Sequence, residues 1–166
     1  MASADMEHIV YIALGSNLGD RLANLKAAIN NFPPQLEVLQ KSNIYETPPW
    51  GITDQPTFLN QVVKAETYMQ PEPLLHHLKR LEAALGRQPG VQNGPRLIDL
   101  DILFFDDLIL DSPRLKLPHP RMHERAFVLV PLADLEPTLI HTALNQSVSD
   151  LLKAVDQSGI QKYEGK

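Results

Sequence analysis

The sequence predicts an α+β fold of the ferredoxin-like kind: a β-α-β-β-α-β sheet with its helices on one face, plus C-terminal additions. Three observations carry this. Two stretches place apolar residues at helical spacing, four short apolar runs read as strands, and together they alternate in that order along the chain. A chain of 166 residues also suffices for one domain with a core that needs no covalent staple.

Taken in order, Ile9 to Leu14 (IVYIAL) is a buried strand by its continuous apolar run. GSNLGDRLANLKAAINNF follows, where Leu18, Leu22, Leu25 and Ile29 line one helix face and Ser16, Asn17 or Asp20 supplies the cap. Leu36 to Tyr45 is a second, less regular strand. The loop ETPPWGITDQPT leads to a third strand, Phe58 to Glu66. PEPLLHHLKRLEAALG is the second helix, with Pro near its start, a stripe of Leu74, Leu78, Leu81 and Leu85, and Gly86 as the stop. After the loop RQPGVQNGP, RLIDLDILFF (Arg96 to Phe105) is the fourth strand. From Ser112 the chain continues as a loop containing LPHPRMHERAFVLVPL, then a short helix near Ser147 to Val155.

Composition narrows the function. Cys is absent, which excludes disulfides, thiolate metal sites and cysteine nucleophiles. A net charge of −5 argues against general nucleic-acid binding. The start, MASADMEH, is polar and short, and no apolar run approaches a membrane span. The expectation is a cytoplasmic monomer with small-molecule substrates and no membrane or nucleic-acid partner.

The fourth strand holds the main puzzle. Alternation puts Asp99 and Asp101 on one face, together with Leu97, Leu103 and Phe105. Two like charges roughly 6–7 Å apart repel by about 2–3 kcal/mol at an effective dielectric of about 20. Against a total stability of about 5–15 kcal/mol, something should offset this. Water or Arg96 is one answer and a bound cation is the other; the strand alone leaves both open. Arg87, Arg96 and the cluster His119, Arg121, His123 and Arg125 flank the pair in an otherwise acidic chain, as a phosphate clamp would. Oxygen ligands without Cys point to a hard cation such as Mg²⁺. Phe58 and Asn60 share a strand face, so a flat heterocycle could stack on one while the other reads its edge; Phe127 and Trp50 offer further walls. GSNLGDR fits neither the P-loop nor the dinucleotide pattern and reads as a capped strand-to-helix turn.

Together, YIALGSNLGD, ETPPWG, QPTFLNQV, GPRLIDLDILFF and LPHPRMHERAFVLVPL resemble, in order, the 6-hydroxymethyl-7,8-dihydropterin pyrophosphokinases of folate biosynthesis. The resemblance implies a single pyrophosphokinase domain over residues 1–166. Its activity would be Mg²⁺-dependent transfer of pyrophosphate from ATP, the co-substrate, to the pterin hydroxymethyl group, with AMP as the other product. It implies that Asp99 and Asp101 hold two Mg²⁺ ions and that Arg87 and Arg96 stabilise the transferred phosphates. Glu82, Ile102, His119 and Arg125 would join Arg87 and Arg96 around ATP. Phe58 and Phe127 would sandwich the pterin, with Asn60, Thr47, Pro48 and Trp50 around it. Two features depart from the family pattern: the loop Gln88 to Asn93 is short and uncharged, and Phe58 stands where a Tyr is often found. Two other readings are a different Mg²⁺-dependent nucleotidyl transferase, which would release pyrophosphate, and a non-catalytic binding module. Pterin-dependent formation of AMP separates all three.

Overall fold

A computed structural model describes residues 6–48, 54–86 and 97–164. In chain order its elements are β1 (His8–Ser16), α1 (Arg21–Asn30), β2 (Glu37–Lys41), β3 (Tyr45–Thr47), β4 (Phe58–Thr67), α2 (Pro71–Ala84), β5 (Asp99–Phe105), β6 (Leu110–Asp111), β7 (Lys116–Leu117), α3 (Ala126–Leu135), β8 (Ile140–His141), β9 (Gln146–Ser147), α4 (Val148–Lys153) and β10 (Gln161–Lys162). The main sheet runs β10-β3-β4-β1-β5, and β2 also pairs with β4. All its pairings are antiparallel. Among the described residues no helix is long and apolar enough to cross a membrane.

β1 is apolar on both faces because it is a central strand covered on both. Val10, Ile12 and Leu14 meet Leu25 of α1 and Leu74 and Leu78 of α2 in one core layer. Tyr11 points the other way, into a second layer with Val62, Leu103, Phe104, Val128, Leu129 and Leu132. The two helices of the β-α-β-β-α-β unit, α1 and α2, thus cover one side of the sheet, and the C-terminal additions α3 and α4 cover part of the other. α3 falls inside the stretch expected to be loop, and it carries Pro131 within it. Proline forgoes the bond its N–H would make to the Phe127 carbonyl, at a cost of about 3 kcal/mol. Val128, Leu129 and Leu132 are buried, and each such side chain contributes about 1.5–3 kcal/mol, which outweighs that cost.

Three local differences have physical causes. Asp20 is the cap of α1, its carboxylate accepting from Ala23 N at 3.1 Å. Leu18 therefore precedes the helix and is exposed, and the buried stripe begins at Leu22. The second strand divides into β2 and β3 at Ser42. There the Ser42 hydroxyl accepts from Val62 N at 2.9 Å, and Ser42 N donates to Val62 O at 2.9 Å, so pairing with β4 continues through the break. In β5 the register against β1 shifts, with Tyr11 opposite Phe104 and Ile12 opposite Ile102. This β-bulge reverses the alternation beyond Leu103. Phe105 turns into the α1–α2 layer, not onto the Asp face as strict alternation requires, and Phe104 takes its place.

Candidate active site

The sheet register builds the site. Asn60 of β4, Gly15 of β1 and Asp99 of β5 stand side by side across three strands. One step along, Val62, Ala13 and Asp101 repeat the arrangement. Side chains directly across a sheet share a face. A polar β4 and an acidic β5 are thus separated by a floor of Gly and Ala on the face opposite α1 and α2. With strands about 4.8 Å apart, Asn60 and Asp99 lie about 10 Å from each other across that floor.

β5 is the edge strand of the described sheet, and its outward N–H groups need partners. Glu82, 1 % exposed on the inner side of α2, provides one: its Oε2 accepts from Leu100 N at 2.7 Å. That amide lies between the two aspartates, so the buried carboxylate fixes the strand where Asp99 and Asp101 project. Lys79, one turn earlier on α2, sits 3.4 Å from Glu82. The aspartates are half-buried, and both attract the guanidinium of Arg125. Burial pulls the Arg125 pKa down and the nearby Arg121 adds to that, while Asp101 and Asp99 oppose it. The group stays a cation, as arginine does in proteins.

The bulge in β5 also recruits the His119 loop, since His119 N donates to Leu103 O at 2.9 Å. His119 Nδ1 accepts from Arg121 N at 3.2 Å, which leaves the ring proton on Nε2. Burial pushes the His119 pKa down to about 4, and the positive charges of Arg125, Arg121 and Lys79 push it the same way. His119 is accordingly a neutral hydrogen-bond donor at neutral pH, set among cations.

The β4 end is built differently. Asn60 is buried, and its Nδ2 donates to Thr47 Oγ1 at 2.6 Å. Its Oδ1 faces Gly15: a Cβ built there would lie 2.9 Å from that oxygen and 3.5 Å from the Phe58 ring. Phe58 and Asn60 thus share the face foreseen for them. Phe127, in the first turn of α3, packs against the second core layer with the Arg125 guanidinium 5.6 Å from its ring centre. Thr47 is buried beside Asn60, and Pro48 is exposed.

Trp50, Arg87, Arg96 and the loop 88–93 lie outside the described residues. Ile102, expected beside ATP, turns its side chain away from the aspartates. Its side chain is 3 % exposed within the α1–α2 layer, because alternation from Asp101 turns it to the opposite face. Sequence reasoning missed Gly15 and Ala13 as the floor, and it missed the bond from Glu82 to the β5 backbone. A glycine in a central strand, where it is costly, was the available signal for the first. For Glu82 the signal was a carboxylate four residues past Leu78 on the buried stripe of an amphipathic helix.

Residues 11–137 match the family model described as 7,8-dihydro-6-hydroxymethylpterin-pyrophosphokinase. The chain is 43 % identical over 156 residues to a 2-amino-4-hydroxy-6-hydroxymethyldihydropteridine pyrophosphokinase of Methylorubrum extorquens, covering 93 % of this chain and 98 % of that one. It is 48 % identical over 132 residues to a mitochondrial folate synthesis bifunctional protein of Pisum sativum, covering 79 % of this chain and 26 % of that protein. Among solved structures it resembles Plasmodium falciparum HPPK-DHPS with a TM-score of 0.73 at 18 % identity. That likeness concerns the fold and covers 89 % of this chain and 41 % of the solved one.

Proposed function

The chain belongs to the 7,8-dihydro-6-hydroxymethylpterin-pyrophosphokinase family and transfers pyrophosphate from ATP to 6-hydroxymethyl-7,8-dihydropterin, and we propose that the sheet face running from Asn60 to Asp101 is where it does so. The observation that carries this is the register Asn60–Gly15–Asp99. It sets the neutral Asn60 amide, with the Phe58 ring beside it, and an acidic strand on one face, about 10 Å apart by strand spacing. The strand order, with β5 beside β1, β1 beside β4, and β2 and β3 both on β4, supports reading the sheet as ferredoxin-like. We read residues 1–166 as one such domain.

In this reading the pterin ring stacks on Phe58 and Phe127, and the Asn60 amide reads its polar edge, with Thr47 Oγ1 holding that amide in orientation. Pro48 follows Thr47 on the chain, and Trp50, outside the described residues, is assigned to the pterin by resemblance alone. Asp99 and Asp101 are the residues that would hold Mg²⁺, two ions by the family resemblance. The donor set fits: these are hard oxygens on one face that already attract a cation, Arg125. Among the described residues no third His, Asp or Glu joins them, so the other ligands would be phosphate oxygens and water, as is usual for Mg²⁺. Bound there, the metal would neutralise phosphate charge and polarise the attacking hydroxyl.

The pterin hydroxyl oxygen attacks the β-phosphorus in line and gives up its proton to solvent, the bond from the β-phosphorus to the bridging oxygen breaks, and AMP leaves with that oxygen. The protein contributes positioning and charge. Arg125 meets negative charge on the phosphates, and neutral His119 donates from Nε2 without adding a charge that the aspartates would trap. Glu82 acts from behind by holding the Leu100 amide. Arg87 and Arg96 are assigned to the transferred phosphates by resemblance. Any contact from Ile102 to the nucleotide passes through its backbone. The test is incubation with ATP, Mg²⁺ and hydroxymethyldihydropterin, with AMP measured with and without the pterin. Pterin-dependent AMP, lost in both Asp99→Ala and Asp101→Ala, is expected. Normal turnover in either variant at saturating Mg²⁺ overturns the metal assignment.

A further inference from the structure

GSNLGDR was expected to be only a capped turn, and capping accounts for Asp20 alone. Two other polar residues of the segment reach across to the chain that frames the β4 end of the site. Arg21 Nη1 donates to Glu46 Oε2 at 2.9 Å, to Thr57 O at 3.1 Å and to Thr57 Oγ1 at 3.0 Å. The Thr57 hydroxyl in turn donates to Glu46 Oε2 at 2.8 Å. Asn17, 1 % exposed, donates from Nδ2 to Gln55 Oε1 at 2.7 Å and to Pro56 O at 3.1 Å. One short segment therefore ties Glu46, in the middle of β3, to residues 55–57, on the chain entering β4.

The location gives these bonds a consequence. β3 has three residues, so few backbone bonds hold it against β4. Its alternation puts Glu46 opposite Leu59, on the α1 side, and Thr47 opposite Phe58, on the side of Asn60. Pulling on Glu46 from below sets Thr47 above. Thr47 Oγ1 is the atom that orients the Asn60 amide. The Arg21 guanidinium also lies 5.9 Å from the ring centre of Tyr163, which follows β10, the strand pairing with β3 on its other edge. Glu46 is held below the usual carboxylate range by its hydrogen bonds from Thr57 and Arg21, in keeping with a carboxylate built to stay charged there.

We propose that Arg21, seconded by Asn17, is a positioning residue for the pterin: from the face opposite the substrate it holds β3 and the start of β4 together, and thereby sets the Thr47–Asn60 pair. This rests on the assignment of Asn60 and Thr47 to the pterin. Arg21 lies on the face opposite Thr47 and Asn60, so its removal should change the affinity for one ligand and spare the other.

The experiment measures the KM for the pterin, kcat, and ATP-analogue binding in Arg21→Gln, in Glu46→Arg, and in the charge-swapped pair Arg21→Glu with Glu46→Arg, with Asn60→Ala alongside. The loss of two to three charge-assisted hydrogen bonds should raise the pterin KM in Arg21→Gln by about 5- to 10-fold. ATP-analogue binding and kcat should stay within about twofold. The charge-swapped pair should recover most of the KM lost in Glu46→Arg. A pterin KM unchanged in Arg21→Gln, or ATP binding weakened equally, overturns the bracket. Failure of the charge-swapped pair to recover overturns the Arg21–Glu46 link in particular. If Asn60→Ala raises the pterin KM while Arg21→Gln does not, the bracket alone fails. If Asn60→Ala leaves the pterin KM unchanged, the subsite assignment fails and the bracket falls with it.

Discussion

The two ends of the site solve opposite problems. The β4 end is neutral and closed on itself: Asn60 bonds Thr47, both are buried, and β3 is braced through Glu46. The β5 end is charged: two aspartates share a face and attract Arg125, while the histidine beside them is kept neutral. A flat, uncharged heterocycle can be met by a finished pocket, because shape and a few fixed hydrogen bonds suffice. A polyphosphate with its metal cannot, since the charges that receive it repel or mispair until it arrives. The comparison predicts that variants at the β5 end should damage chemistry or pH tolerance, and variants at the β4 end should damage selectivity.

The largest expected effect tests the charged end. Asp101→Ala should lower the rate of pterin-dependent AMP formation by about a thousandfold or more, in the range typical for removing a preorganised charge partner of the transition state. The same change relieves the repulsion between two like charges and takes one attraction from Arg125, so the two effects oppose each other and the thermal midpoint should change little. A lowered midpoint with proportionate loss of pterin binding would make Asp101 a structural residue and erase the contrast.

The next effect is on pH. His119 has its pKa pulled from 6.5 down to about 4 in the folded protein. A group that resists protonation when folded stabilises the fold fully above its unfolded pKa. That contribution is lost as pH falls from about 6.5 toward 4, since the unfolded chain takes up the proton first. At about 1.4 kcal/mol per unit, the loss across this window is up to about 3 kcal/mol. Denaturant titrations of the ligand-free protein should show this slope, and His119→Gln should flatten it. An unchanged slope in the variant would place the acid sensitivity elsewhere.

Glu82 comes third. In Glu82→Ala the amide of Leu100 loses its buried acceptor, which should cost about 1–3 kcal/mol of stability. Because that amide lies between the aspartates, kcat should fall while the pterin KM stays near its original value. Glu82→Gln keeps an acceptor and should restore part of both. Stability lost with kcat intact would separate the clamp from the chemistry.

How much of this was legible in the sequence follows from the range of the forces involved. The strands and the first two helices were legible because their apolar periodicity is local. The Asp99–Asp101 face and the Phe58–Asn60 face were legible because alternation over two residues survives almost any sheet. Phe105 was not, since the bulge depends on the partner strand. Nor was α3: Pro131 is a strong local signal overruled by burial against a sheet face distant in sequence. Arg21 and Glu46 are 25 residues apart, and neither carries a mark of the other until the chain folds.

The smallest expected effect is the finest test of the neutral end. Gly15 has none of the positive φ that would reserve it for glycine by backbone alone, so a side chain is excluded there only by space. In Gly15→Ala the new Cβ would lie 2.9 Å from Asn60 Oδ1, and the amide would have to give way against its own bond to Thr47. Crowding of this kind typically costs about 1–3 kcal/mol, so pterin affinity should fall roughly tenfold. Asp99, the neighbour on the other side, is not among the atoms the Cβ would press, so binding of an ATP analogue should be unaffected. Shortening the obstructed side chain gives the control: in an Asn60→Ser background, whose own pterin affinity is the baseline, Gly15→Ala should cost little more. Additive losses in the double variant would mean that the alanine disturbs the strand itself and that the floor does not serve the pocket.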